Sequence, residues 1–153
     1  MANLKEGDFA PEFNGKDQNG NEISLSNLKG KKIILYFYPK DDTPGCTAEA
    51  CNLRDNYAGL INDGFEVIGV SADSEKSHQK FIGKYNIPFK LIADTEKVIL
   101  RAYGAWGKKK MYGKEYEGIM RKTFVINEDG KIIKVFDKVD TKNHTEQILE
   151  VLQ

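Results

Sequence analysis

What this chain has little of narrows its function first. Its 153 residues include only two cysteines, two histidines and one tryptophan. Two cysteines are too few for a disulfide scaffold, and 40% hydrophobic residues can build a core without staples. The two histidines, His78 and His144, lie far apart, with no H-x3-5-H to complete a Cys2His2 set, so a structural zinc site is not expected. Charge of one sign is also missing. Lys plus Arg is 23 and Asp plus Glu is 23, which points to neither nucleic acid nor an anionic membrane as partner. No apolar run approaches the ~18 residues of a membrane span. The opening "MANLKEGDFAPEF" has no apolar stretch of the kind a secretory signal needs. "GKKIILY" lacks the Gly-Lys-Ser/Thr of a phosphate loop. Repeats, low-complexity tracts and Pro/Ser linkers are absent too. The expectation is one cytoplasmic domain over residues 1–153.

What is present reads as an α/β pattern. "EFNGKDQNGNEISL" suggests an N-terminal hairpin around an Asn-Gly turn. "KKIILYFYP" and "GFEVIGVSAD" are continuous apolar runs, as in strands covered on both faces. Between them, Ala50, Leu53, Tyr57 and Leu60 follow helical spacing, predicting one helix over 44–60. A helix over "SEKSHQKFIGKYNI" follows, with Ser74 as N-cap. Then come a strand at "FKLIAD", a short helix at "KVILRAYGA", a hairpin around "NEDG" and a C-terminal helix capped by Asn143. That helix puts Ile148, Leu149 and Leu152 on one face. This order predicts a three-layer α/β/α sandwich with a central mixed sheet. Its site belongs at the C-terminal end of a central strand.

Both cysteines fall in "YPKDDTPGCTAEAC", residues 38–51. Pro44 suits a first helical turn, and Thr43 before it suits an N-cap. Cys46 then lies beside unpaired N–H groups at the positive end of a helix, which favours a thiolate. Cys51 is a different case. In an intact helix its Cα is about 8.6 Å from that of Cys46, beyond the ~7 Å limit for a disulfide. The two can react only if part of the helix unwinds. Taken alone, each cysteine also fits an inert, small buried hydrophobe. His78 and His144 read as residues on polar helix faces. Trp106, Met111, Tyr112 and Tyr116 read as packed aromatics in a mobile Gly- and Lys-rich loop, and "GKKK" as a solvated basic patch.

The set Pro39-x3-Thr43-x2-Cys46, with a distant Arg121 in "GIMRKTF", resembles the active-site signature of the peroxiredoxins. "GDFAPEF", "VIGVSAD" and "GIMRKTFVIN" extend the likeness along nearly the whole chain. The Cys-x4-Cys pair resembles the bacterioferritin comigratory protein, or Q-type, subgroup. That likeness implies a thioredoxin-like fold and a thiol peroxidase acting on hydrogen peroxide and organic hydroperoxides. Cys46 would be peroxidatic and Cys51 resolving, through an intramolecular disulfide. Thr43 would bond the thiolate and orient peroxide, and Pro39 would shield the pocket. Arg121 would stabilise the charge, and Glu49 would bind Arg121 or simply face solvent. Thioredoxin or a similar dithiol would be the reductant. No metal, haem, flavin or nucleotide cofactor is needed. A resolving cysteine within the chain leans towards a monomer. A general thiol–disulfide oxidoreductase is disfavoured by Thr43 and the C-x4-C spacing. A redox sensor or holdase working through the same helix opening is the non-enzymatic alternative.

Overall fold

The computed structural model describes residues 3–152. In chain order the elements are β1 (Asn14–Lys16), β2 (Glu22–Ser24), β3 (Lys32–Phe37), α1 (Pro44–Asp55), α2 (Tyr57–Asn62), β4 (Phe65–Ser71), α3 (Glu75–Tyr85), β5 (Lys90–Ala93), α4 (Val98–Ala102), β6 (Trp106–Met111), β7 (Lys114–Ile119), β8 (Lys122–Ile126), β9 (Ile132–Phe136) and α5 (His144–Leu152). The central sheet runs β5-β4-β3-β8-β9. β3, β4 and β5 are parallel, while β8 and β9 join antiparallel, so the sheet is mixed as expected. β1 and β2 pair as the N-terminal hairpin.

Strand alternation sorts the core into two layers. Along β3, Ile33, Leu35 and Phe37 face one cluster with Phe13, Ile23, Ile99 and Leu100. Ile34, Tyr36 and the following Tyr38 face the other, with Ala50, Leu53, Leu60, Phe81 and Ile148. So β3 is buried on both faces, and each of its larger side chains contributes roughly 1.5–3 kcal/mol relative to exposure. Both parallel crossovers, β3 to β4 and β4 to β5, step the same way along the sheet. Right-handed crossovers therefore put α1, α2 and α3 on one face. α5 joins them, and α4 packs on the opposite face with the N-terminal hairpin.

Two expectations are corrected. The helix predicted over 44–60 is two helices, broken at Asn56 (φ −108, ψ 4). The Asn56 amide donates to the Asn52 carbonyl at 2.8 Å, taking an acceptor a continuing helix would use. The stretch expected as a mobile loop is the hairpin β6–β7, in register from Trp106↔Ile119 to Met111↔Lys114. Its turn uses two left-handed residues, Tyr112 (φ 52) and Gly113 (φ 78), the conformation that matches strand twist. Most of its side chains are exposed on both faces, so it carries no apolar alternation to read.

Candidate active site

The site forms where β3 hands over to α1. Tyr38 N–H donates to Val70 O at 3.1 Å, carrying the ladder one residue past β3. The chain then turns through half-buried Pro39 and left-handed Asp42 (φ 58) into Pro44. Thr43 occupies the N-cap position with extended backbone, but its side chain does not cap. Its hydroxyl instead donates to Lys40 O at 2.9 Å. Cys46 sits in the first turn and is 1% exposed. The Thr47 N–H makes the first backbone bond of the helix, to Thr43 O at 2.8 Å. The amides before it are not used by the helix ladder.

Arg121 directly precedes β8, the strand that pairs with β3 on the side opposite β4. Phe124 and Ile126 face the α4 layer, whereas Val125 faces the α1 layer. Residues two apart share a face, so Thr123 and Arg121 point towards α1 as well. Arg121 Nη2 donates to Cys46 Sγ at 3.3 Å, and Nη1 donates to Glu49 Oε1 at 2.6 Å. Cys46 and Glu49 are three residues apart, so they stack on one helix face within reach of one planar guanidinium. Gly45 makes room for it, since a Cβ there would lie 3.2 Å from Nη2.

Burial shapes the electrostatics. The Glu49 side chain is fully buried, and burial pushes its carboxyl up to about 7 although Arg121 opposes this. Burial pulls the Arg121 guanidinium down, but the anionic forms of Glu49 and Cys46 outweigh it and hold it above its usual value. Behind Glu49 lies His144, whose Nε2 is 3.7 Å from Glu49 Oε2. Gln147 Oε1 accepts from Asp140 N–H at 3.0 Å and faces His144 Nδ1 at 2.9 Å, while its amide donates to Lys138 O at 2.8 Å. Nδ1 therefore carries the hydrogen, and Nε2 accepts from Thr123 Oγ1 at 2.8 Å. Burial, with Arg121 nearby, lowers the His144 pKa and keeps the ring neutral. Among the described residues, Tyr36 Oη and Glu49 Oε2 are the buried side-chain polar atoms without a hydrogen-bond partner.

Both histidines contradict the expectation of polar helix faces, because each is 0% exposed. The ligand atoms of Asp41, Asp73 and His78 lie within 4.8 Å of one another, the kind of cluster that could hold a cation. They are already engaged. Asp41 accepts from Tyr38, Ser77 and His78, and His78 Nε2 bonds Ile92 O at 2.9 Å. The cluster is a closed hydrogen-bond set. Cys51 is half-buried on the same unbroken α1, and both cysteines are free. The helical separation of about 8.6 Å therefore applies to the folded site.

The AhpC/TSA family matches residues 7–135. The chain is 47% identical over 146 residues to the putative peroxiredoxin bcp of Coxiella burnetii, covering 95% of this chain and 97% of that protein. It is 46% identical over 147 residues to peroxiredoxin Bcp of Bacillus subtilis, covering 96% and 94%. Among solved structures, a variant of peroxiredoxin Q from Xanthomonas campestris is 34% identical with a TM-score of 0.86, covering 92% of this chain and 89% of that one. A variant of PrxQ from Xylella fastidiosa is 29% identical with a TM-score of 0.92, covering 99% and 97%.

Proposed function

This chain belongs to the AhpC/TSA family, as one of its Bcp/PrxQ peroxiredoxins, and on that premise we propose that Cys46 is the nucleophile that reduces peroxides and Cys51 the thiol that resolves it. The fold is thioredoxin-like and the activity is that of a thiol peroxidase. The observation that carries the assignment is the 3.3 Å contact from Arg121 Nη2 to Cys46 Sγ in the first turn of α1. An ordinary thiol, with a pKa of ~8.5, is only a few per cent thiolate at neutral pH. A guanidinium N–H and a helix start both favour the anion.

The Cys46 thiolate attacks one oxygen of ROOH in line with the O–O bond. The S–O bond forms, the O–O bond breaks, and RO⁻ leaves and takes a proton to become alcohol, or water when R is hydrogen. Arg121 and the free amides of the first turn stabilise the charge growing on the leaving oxygen. The Thr43 hydroxyl has its hydrogen on Lys40 O, so its lone pairs accept from the incoming peroxide rather than donating to sulfur. Half-buried Pro39 closes the loop beside the site. Glu49 orients Arg121 through the second nitrogen of the fork.

The product is a Cys46 sulfenic acid. α1 then opens, the Cys51 thiolate attacks the Cys46 sulfur, and hydroxide leaves to become water. An external dithiol, with thioredoxin as the candidate, reduces the disulfide by two exchanges and restores both thiols. The two sulfurs lie on one chain, so the cycle needs no second subunit. The chemistry calls for no metal or organic cofactor.

The test is peroxide consumption with thioredoxin, thioredoxin reductase and NADPH. Hydrogen peroxide and an organic hydroperoxide should both be turned over. Cys46→Ser should abolish turnover, and full activity in that variant would overturn the assignment.

A further inference from the structure

The helix that must open is held from both sides, and the two holds differ from what lies between them. Upstream, the carboxylate of Asp41 is the hub. Its Oδ1 accepts from Tyr38 Oη at 2.6 Å, and its Oδ2 accepts from Ser77 Oγ at 2.8 Å and contacts His78 Nδ1 at 2.7 Å. The backbone N–H of Asp41 donates to Asp73 Oδ2 at 2.8 Å. His78 and Asp41 are both buried, so their 2.7 Å contact is sealed from water. Next to it, Asp42 accepts from Lys84 Nζ at 2.8 Å and Tyr85 Oη at 2.7 Å. Two adjacent aspartates thus clasp the loop along most of α3.

Downstream, Asn52 directly follows Cys51. Its Oδ1 accepts from Thr145 N–H at 2.7 Å, and its amide donates to Lys142 O at 3.1 Å. This fixes α1 to the start of α5. Arg54 Nη1 donates to Tyr85 O at 2.8 Å, and Leu53 is 0% exposed, so the rest of α1 is held too.

Between the clasps, among the described residues, the side-chain hydrogen bonds leaving 43–51 go to Arg121 and, from Thr43, back to Lys40 O at 2.9 Å. One of those bonds ends on Cys46 sulfur. Converting the thiolate to a neutral sulfenic acid removes a charge from that contact and weakens it. Neither clasp senses this change.

Resting on the Cys46–Cys51 reading above, we propose that Asp41–His78 and Asn52–Thr145 are the two hinges of the opening, which is confined to residues 43–51. Asp41, His78 and Asn52 are positioning residues for resolution: they fix the ends of the segment while Cys46 leaves Arg121. The chain length allows it. The ten steps from Asp42 to Asn52 span about 15 Å as helix but about 33 Å when extended, so fixed ends leave slack for the two sulfurs to meet.

The test is amide hydrogen exchange on the reduced protein and on protein oxidised with diamide, which makes a disulfide without peroxide. Exchange across 45–55 should rise at least about tenfold on oxidation, because the amides through 55 lose their carbonyl partners in 43–51, while 58–62, 77–85 and 145–150 change by less than about twofold. In Asn52→Ala the rise should extend into α2, across 58–62. Cys46 oxidation by peroxide should stay within about twofold of wild type, because Asn52 touches neither Cys46 nor Arg121. Failure of diamide to form the Cys46–Cys51 bond would overturn the resolution step and the hinges with it. A bond that forms with exchange rising into 77–85 or 145–150 would overturn the hinges alone. So would an Asn52→Ala boundary identical to that of wild type. Should Asn52→Ala not fold, the wild-type exchange map decides.

Discussion

Arg121 divides one guanidinium between Cys46, 3.3 Å from Nη2, and Glu49, 2.6 Å from Nη1. The fork is planar and the two acceptors lie one helical turn apart, so a single rigid group bridges them.

A lysine cannot do this. Its ammonium is a point charge and reaches one acceptor or the other. Arg121→Lys should slow Cys46 oxidation by about 100-fold or more, the scale of losing one aimed donor to a developing anion. Stopped-flow tryptophan fluorescence or competition with a reference peroxidase measures that rate. Trp106 is the lone tryptophan, so its response should first be checked against mass spectrometry.

Gly45 offers a subtler perturbation. Its Cα hydrogen faces the guanidinium, and a methyl there would sit 3.2 Å from Nη2. Arg121 must give way by a few tenths of an ångström. Gly45→Ala should therefore lower the peroxide rate about tenfold, since small misplacements of an aimed group are costly. Stability should hold or rise by up to about 1 kcal/mol, because alanine is the better helix former. Urea melts beside single-turnover kinetics separate the two effects.

Glu49 gives the fold a pH dependence of definite sign. Its carboxyl is raised in the folded protein from 4.5 to about 7, mainly by burial. The folded state therefore binds the extra proton between those values. The stabilisation is complete below about 4.5 and is lost as pH rises through about 7, an effect on the order of 3 kcal/mol at most. Glu49→Gln removes that contribution. From pH 5 to pH 8, wild type should lose stability relative to the variant, measured by urea melts at each pH. A constant difference between the two would contradict the account.

Legibility in the sequence followed the range of the interactions. Thr43, Pro44 and Cys46 were readable because a helix start is a local event. β3 and β4 were readable because burial on both faces leaves an unbroken apolar run. His78 was not, since "EKSHQKF" looks like a polar face until Asp41, 37 residues upstream, folds onto it. His144 was hidden in the same way by Thr123 and Glu49. The β6–β7 hairpin gave no alternation because neither of its faces is well covered. The break at Asn56 turns on one side-chain bond back to Asn52, which helical periodicity does not register. Glu49 fitted an exposed helix position equally well, and only the packing of α1 against β8 and α5 buries it.

The central claim is that Cys46 takes the oxygen and Cys51 takes Cys46. Rapid quenching after one equivalent of peroxide, followed by peptide mass spectrometry, tests it most directly. Wild type should show the Cys46–Cys51 peptide pair short of two hydrogens, and Cys51→Ser should show one added oxygen on Cys46. Oxygen appearing on Cys51 while Cys46 stays reduced would contradict the account.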